Sequence, residues 1–310
     1  MEKLYVVTVI SNPVRYKTRY DLYRRFAKQM QAVDVPFYTV EMAFGDRPFE
    51  VTSADNQCHI QVRSDQELWH KENLLNLVIE KLPPEAKYVA WVDADVMFVR
   101  PDWAEETVEQ LQHHKVVQMF SHAQDLGPNF EPMQLHAGFV YNYLNFGFTK
   151  EWRDVCPDEQ VTNIQGHPGY CWAARRDTLE ALGGLLDFSI LGSGDNCMAR
   201  AFLGRVDTTF FPGIMDGYKA KLMEWQALAE RHVLRDIGYV PGTIFHYWHG
   251  KKKDRGYADR WKILANNKFD PDRHLFKDAQ GLYRIHDTNT PLRDDIRRYF
   301  RSRNEDSVDV

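Results

Sequence analysis

The stretch "YVAWVDADVMFVRP" (residues 88–101) runs a mostly apolar segment into two aspartates and then returns to Met-Phe-Val. A continuous apolar run of this kind marks a strand buried on both faces, as in a parallel sheet covered by helices. Asp93 and Asp95 are two residues apart, so in extended chain their side chains point the same way. Two carboxylates at the end of a core strand are costly unless a cation, a basic side chain or solvent compensates them.

Working outward, "LYVVTVI" (4–10) and "VPFYTVEMAF" (35–44) read as strands. Between them "RYDLYRRFAKQMQAV" (19–33) has helical spacing of apolar residues. "DQELWHKENLLNLVIEKL" (65–82) reads as an amphipathic helix stopped by Pro83-Pro84. After Pro101, Asp102 and Glu105 have capping-box spacing. This β-α-β-α-β order predicts an α/β fold: a Rossmann-like, mostly parallel central sheet with helices on both faces, in a single domain. Such sheets bind ligands at the carboxyl ends of their strands, where Asp93 and Asp95 lie. Beyond "KVVQMF" (115–120) the chain reads as loop-like and aromatic through residue 168. From about 263 it reads as a polar extension to residue 310, with one helix near 291–303 and a frayed end, "NEDSVDV".

Of the 310 residues 44% are hydrophobic and 27% charged, with a net charge of −5, so nothing global marks a partner of nucleic acid or anionic membrane. The start, "MEKLYVVTVISNP", is too short in apolar length for a signal peptide. No run approaches the ~20 apolar residues of a membrane span. Cys58, Cys156, Cys171 and Cys197 lack metal or redox spacing, which fits reduced thiols of a cytoplasmic protein.

Two further constellations carry chemistry. In "TIFHYWHGKKKDRG" (243–256), His246 and His249 are spaced to reach one metal if the backbone turns. Carboxylate with imidazole suits Mn²⁺ or Mg²⁺. Gly250 permits close approach of an anion, and Lys251, Lys252, Lys253 and Arg255 offer charge to phosphates. In "FSILGSGDNCMARAFLG" (188–204), the Gly192-Ser193-Gly194 turn presents Asp195 at a helix N-terminus. There it can serve as a cap, as a base taking a proton from an attacking hydroxyl, or as both.

Together these motifs resemble the GT-A nucleotide-sugar glycosyltransferases, in particular the inverting β-1,4-galactosyltransferase-like group. The likeness rests on "PVRYK", "LWHKENLLN", "DAD", "GSGDN" and "HYWHGKKKD", and spans residues 4 to about 262. It implies a GT-A catalytic domain over 1–262, followed by the extension 263–310. It also implies that Pro13, Arg15 and Lys17 line the nucleotide site, with Trp69 against the base and Lys71 on ribose or phosphate. Asp95 and His249, with His246 as a further candidate, would hold the metal. Asp93 would touch the ribose or the metal's water shell, and Asp195 would be the base. The activity implied is metal-dependent transfer from a nucleotide-diphosphate sugar, a UDP-sugar, with inversion. Where the group has a tryptophan and acidic residues around its base, this chain has Leu191, Gly194 and Asn196, so the sugars it handles are open.

Two other classes compete. A nucleotidyltransferase making the sugar nucleotide shares the strand-end aspartates, but needs a glycine-rich phosphate loop that "VISNPVRYK" lacks. A non-catalytic nucleotide- or sugar-binding domain could keep the same fold. The acceptor could be a saccharide, a lipid-linked glycan, a protein, or a hydroxymethylated base in viral DNA. Residues 251–262 hold six basic and two acidic side chains and 293–303 hold five and two, material for tracking phosphates. The aromatic segment 121–168 is candidate material for acceptor recognition.

Overall fold

The structure, a computed structural model, describes residues 2–147, 166–257, 259–286 and 289–309. Its centre is a seven-stranded sheet among the described residues. In spatial order the strands are β10 (Ile237–Tyr239), β6 (Val116–Gln118), β9 (Cys171–Arg175), β4 (Tyr88–Val92), β1 (Leu4–Ser11), β2 (Phe37–Phe44) and β3 (His59–Ser64). All neighbours run parallel except β9, which is antiparallel to both β4 and β6. The expected α/β class and mostly parallel sheet are therefore present.

The apolar runs behave as their continuity requires. Val7, Trp91, Trp172 and Ala174 enter one core, whereas Leu4, Val6, Ala90, Val92, Cys171 and Ala173 enter another on the opposite face. Alternate residues of the same strands thus fill both cores. Helix α1 (Lys17–Val33) contributes Phe26 and Met30 to the second core. Helix α2 (Lys71–Glu80) contributes Leu74, Leu75 and Val78 to the first.

A smaller four-stranded sheet carries β5 (Val96–Phe98), β11 (Thr243–His246), β7 (His122–Leu126) and β8 (Pro132–Ala137) in that order. β11 is antiparallel to β5 and parallel to β7. The turn Asp93-Ala94-Asp95 is therefore where the chain leaves one sheet and enters the other.

Several sequence expectations change. Helix α2 begins at Lys71 rather than 65, because the chain from Asp65 to His70 is tied down by other bonds. Ser64 Oγ bonds Gln66, and Trp69 N–H donates to Ile190 O (2.9 Å). Asp102 is the N-cap of α3 (Trp103–His113), but its carboxylate takes Arg100 Nε (2.7 Å) instead of closing a capping box. Residues 122–146 are not loop but the β7–β8 pair and a helix, Phe139–Phe146. The aromatic stretch from 148 to 165, with Cys156, lies outside the described residues. In the polar segment after the Thr290–Ser302 helix, Glu305 is 0% exposed, between Arg19 and Arg303, while Val308 is 72% exposed. No helix among the described residues is long and apolar enough to cross a membrane.

Candidate active site

Strand pairing assembles the centre. The β5–β11 register sets His246 opposite Val96, and Tyr247 N–H continues the ladder to Asp95 O (2.8 Å). This puts the imidazoles beside the second aspartate. His249 Nε2 lies 3.2 Å from Asp95 Oδ2, His246 Nε2 lies 3.9 Å from it, and the two Nε2 atoms are 3.2 Å apart. The expectation that Asp93 and Asp95 point the same way fails because they sit in a turn. Asp95 faces the histidines, while Asp93 pairs with Lys71.

These atoms fit a cation. One ligand atom from each of Asp95, His246 and His249 falls within 4.8 Å of the others. Ligands at ~2.1 Å from a common ion, in neighbouring octahedral positions, lie about 3 Å apart. Asp95 Oδ1 is buried without a hydrogen-bond partner, a costly state for a carboxylate oxygen. His246 Nδ1 faces the Asp125 carboxylate (2.9 Å). A carboxylate only accepts, so Nδ1 carries a proton there and Nε2 is the nitrogen turned toward Asp95. Burial, reinforced by Arg255, His246, Arg19 and Arg303, holds the pKa of His249 well below the ordinary imidazole value, leaving the neutral form that ligates metals.

On the other side of the same turn stands a second cluster. Burial disfavours the Lys71 ammonium, but Asp93, Asp195 and Glu72 outweigh it and raise its pKa. Asp195 is the second residue of the helix Gly194–Ala201, whose N-cap is Ser193 with φ 70°. It thus lies two residues past the cap rather than being the cap itself. Its carboxylate lies against Gly169, where a Cβ would come within 2.8 Å of Oδ2. Gly194 is required by packing, since a Cβ there would meet Glu72 Cδ at 2.7 Å. Glu72 itself went unnoticed in the sequence. Burial pushes its pKa up to about 8; Lys71 opposes that rise, while Asp195 and Asp93 add to it. At neutral pH Glu72 is therefore mostly a neutral acid.

The residues expected at the nucleotide divide into two groups. Trp69 and Lys71 flank the Gly192–Asp195 turn, with the Trp69 ring 3.5 Å from where a Gly192 Cβ would stand. Arg15 and Lys17 instead line a cavity of about 390 Å³ with Tyr20, Asp21, Arg24 and Glu50, and Arg15 pairs with Glu50 (3.0 Å). Pro13 is buried, and its carbonyl accepts from Arg47 (2.6 Å). None of the metal-centre residues lines that cavity. The basic residue of this segment that reaches inward is Arg19, through Glu305.

Segment 300–307 covers the Trp69 side. Phe300 stacks on Trp69 (6.4 Å, 5°), and the Arg303 guanidinium lies 5.3 Å from the same ring. Asp306 accepts from the Lys17 and Thr18 N–H groups (3.0 and 2.8 Å), the position a phosphate takes at a helix N-terminus. Gly250, with φ 85°, does admit a close neighbour, but that neighbour is the backbone of Asn304 and Glu305. Trp69 Nε1, Arg255 Nε and Arg260 Nε, like Asp95 Oδ1, are buried polar atoms without partners.

The basic runs are largely engaged within the protein. Lys252 meets Asp125 and Gln134, while Arg255 and Arg260 are buried; Lys251 is half-buried. Arg297 and Arg301 pair with Glu67, Arg298 with Asp295, and Arg303 with Glu305. A surface tracking nucleic-acid phosphates is not among the arrangements these contacts favour.

No known family profile matches the chain, and no curated protein does. Several solved structures are similar in chain path at low identity. The catalytic domain of Drosophila β1,4-galactosyltransferase 7, in complex with xylobiose, is 11% identical over 64% of this chain and 60% of its own, with a TM-score of 0.34. Staphylococcus aureus TarS 1–349, in complex with UDP-GlcNAc, is 9% identical over 84% of this chain and 66% of its own, with a TM-score of 0.42. The 4-diphosphocytidyl-2C-methyl-D-erythritol synthase of Anaerococcus prevotii is 13% identical over 78% and 87%, with a TM-score of 0.32. The chain thus spans about three fifths of the length of the galactosyltransferase structure.

Proposed function

We propose that this protein is a metal-dependent glycosyltransferase that moves a sugar from a UDP-sugar to a saccharide hydroxyl with inversion. One observation carries the reading: a three-residue turn at a strand end holds Asp95 against two inward-facing imidazoles and Asp93 against the Lys71–Asp195–Glu72 cluster. A bound Mn²⁺ or Mg²⁺ at Asp95, His246 and His249 would supply the positive charge that a leaving diphosphate needs. Asp195 takes the proton of the acceptor hydroxyl. Lys71 sets a positive charge beside the Asp93 and Asp195 carboxylates in a partly buried site. Glu72, mostly protonated at neutral pH, adds no third negative charge beside them. Trp69 offers its face and its unpartnered indole N–H to the nucleotide once Phe300 yields. The nucleotidyltransferase reading still lacks its glycine-rich loop: the β1–α1 connection holds Asn12, Pro13 and Arg15 around a turn tied by Asn12 Oδ1 to Tyr16 N–H.

Purified protein incubated with Mn²⁺ and a panel of UDP-sugars is expected to release UDP, and chelation is expected to stop it. Asp95→Ala is expected to abolish Mn²⁺-dependent UDP binding in calorimetry. Unchanged UDP affinity in that variant, or a folded wild-type protein inert toward every donor, would sink the proposal.

A further inference from the structure

We infer that Asp125 is a positioning residue of the cation centre: it fixes the His246 ring so that only Nε2 can face Asp95. The inference rests on the metal reading above and extends it to a strand that contributes no ligand. The parallel β7–β11 register places Asp125 directly beside His246. Its Oδ1 accepts from His246 Nδ1 (2.9 Å), on the side of the imidazole opposite the Nε2 that faces Asp95 and His249. A carboxylate behind a ligating imidazole sets the tautomer, fixes ring rotation and raises ligand basicity.

Asp125 can do this because it is itself immobilised. It is 4% exposed. The Tyr170 hydroxyl donates to Oδ1 (2.9 Å), and His136 Nε2 (2.7 Å) and Lys252 Nζ (2.5 Å) hold Oδ2. Tyr170 also packs its ring against His246, 4.6 Å between centroids. Four groups from separate parts of the chain thus meet at one side chain, and His246 is the member that also reaches Asp95 and His249. This also gives Lys252 a place that the sequence did not indicate: it is a counter-ion of the positioning carboxylate.

The test measures Mn²⁺ binding by calorimetry, without nucleotide, in wild-type protein and two variants. Asp125→Asn is expected to weaken Mn²⁺ binding by roughly 10–100-fold, the usual loss for such an outer partner. Tyr170→Phe removes a bond to Asp125 while leaving the Asp125–His246 contact in place, and is expected to keep the wild-type Mn²⁺ affinity. Equal Mn²⁺ affinity in wild type and Asp125→Asn, with only the melting temperature lowered, overturns the inference and leaves Asp125 a structural residue. A wild-type protein that takes up no Mn²⁺ overturns the cation reading itself, and this inference with it. Imidazole ¹⁵N spectra of metal-free wild-type protein give a second readout should Asp125→Asn not fold. Protonation at Nδ1 of His246 is expected; protonation at Nε2 alone overturns the inference.

Discussion

The two sides of the Asp93–Asp95 turn are built in different ways. On the cation side every candidate group comes from the paired strands of the four-stranded sheet or the residues flanking them, so hydrogen-bonded register puts Asp95, His246 and Asp125 together. On the side proposed for the nucleotide the groups come from loops and helix starts, and segment 300–307 lies across them. There Phe300 takes the Trp69 face, Asp306 takes the α1 N-terminus, and Glu305 is held by Arg19 and Arg303. A centre set by strand register is preorganised, whereas one made by segments meeting over a surface must be opened before a ligand can replace the protein's own groups.

Breaking the chemistry while sparing both sides is expected to have the largest effect. Asp195→Asn should lower turnover by about 10²–10⁴-fold with UDP and Mn²⁺ binding intact, as measured by UDP release and calorimetry; near-normal turnover would place the base elsewhere. Next comes the covering segment. Arg19→Ala removes one of two guanidiniums from a fully buried Glu305. Breaking such a pair costs about 3–5 kcal/mol when nothing remains; with Arg303 in place a loss near the low end is expected in urea denaturation. A change under ~1 kcal/mol would mean that the segment is not firmly seated.

The pH dependence of stability tests the cluster around Lys71. The folded pKa of Glu72, about 8, lies above its ordinary value of 4.5, so in that window the native state binds the proton that the unfolded chain releases. Stability therefore falls as pH rises from about 4.5 through 8. Glu72→Gln should flatten this slope and be the more stable protein, relative to wild type, at pH 9 than at pH 5, by a few kcal/mol (roughly 1.4 per pKa unit). Parallel melting curves for the two proteins across that range would remove the account. The smallest effect is expected at Arg15. Its pair with Glu50 is exposed, so Arg15→Ala should change stability by less than about 1 kcal/mol. A large loss of UDP affinity in that variant would show that the α1 outer cavity, not the covered Trp69 face, receives the nucleotide.

The parts legible in the sequence were those with local signatures. The apolar run of β4, the carboxylates after it, the His-x-x-His beginning at the last residue of β11 and the turn before Asp195 all announce themselves within a few residues. What stayed hidden depends on pairing across long separations. Asp125 is 121 residues from His246, and within "SHAQDLG" nothing distinguishes it from a solvated strand residue. Strands β3, β7 and β8 are short and carry polar side chains, so their apolar signal is weak. Composition misreads Glu305 for a related reason. "NEDSVDV" is polar enough for a tail, yet Glu305 is buried because Arg19, 286 residues away, meets it. Glu72 looks like an ordinary helix-surface acid, yet it is buried, with Gly194 of the turn before Asp195 packed against it.

The crossing of the chain between sheets at Asp93-Ala94-Asp95 has a metric consequence. Successive Cα atoms are 3.8 Å apart, so those of the two aspartates can never separate by more than about 7.6 Å. The spacing between the carboxylate that pairs with Lys71 and the carboxylate that faces the two histidines is thus gauged by covalent bonds, and loops elsewhere can lengthen or shorten without altering that calibration.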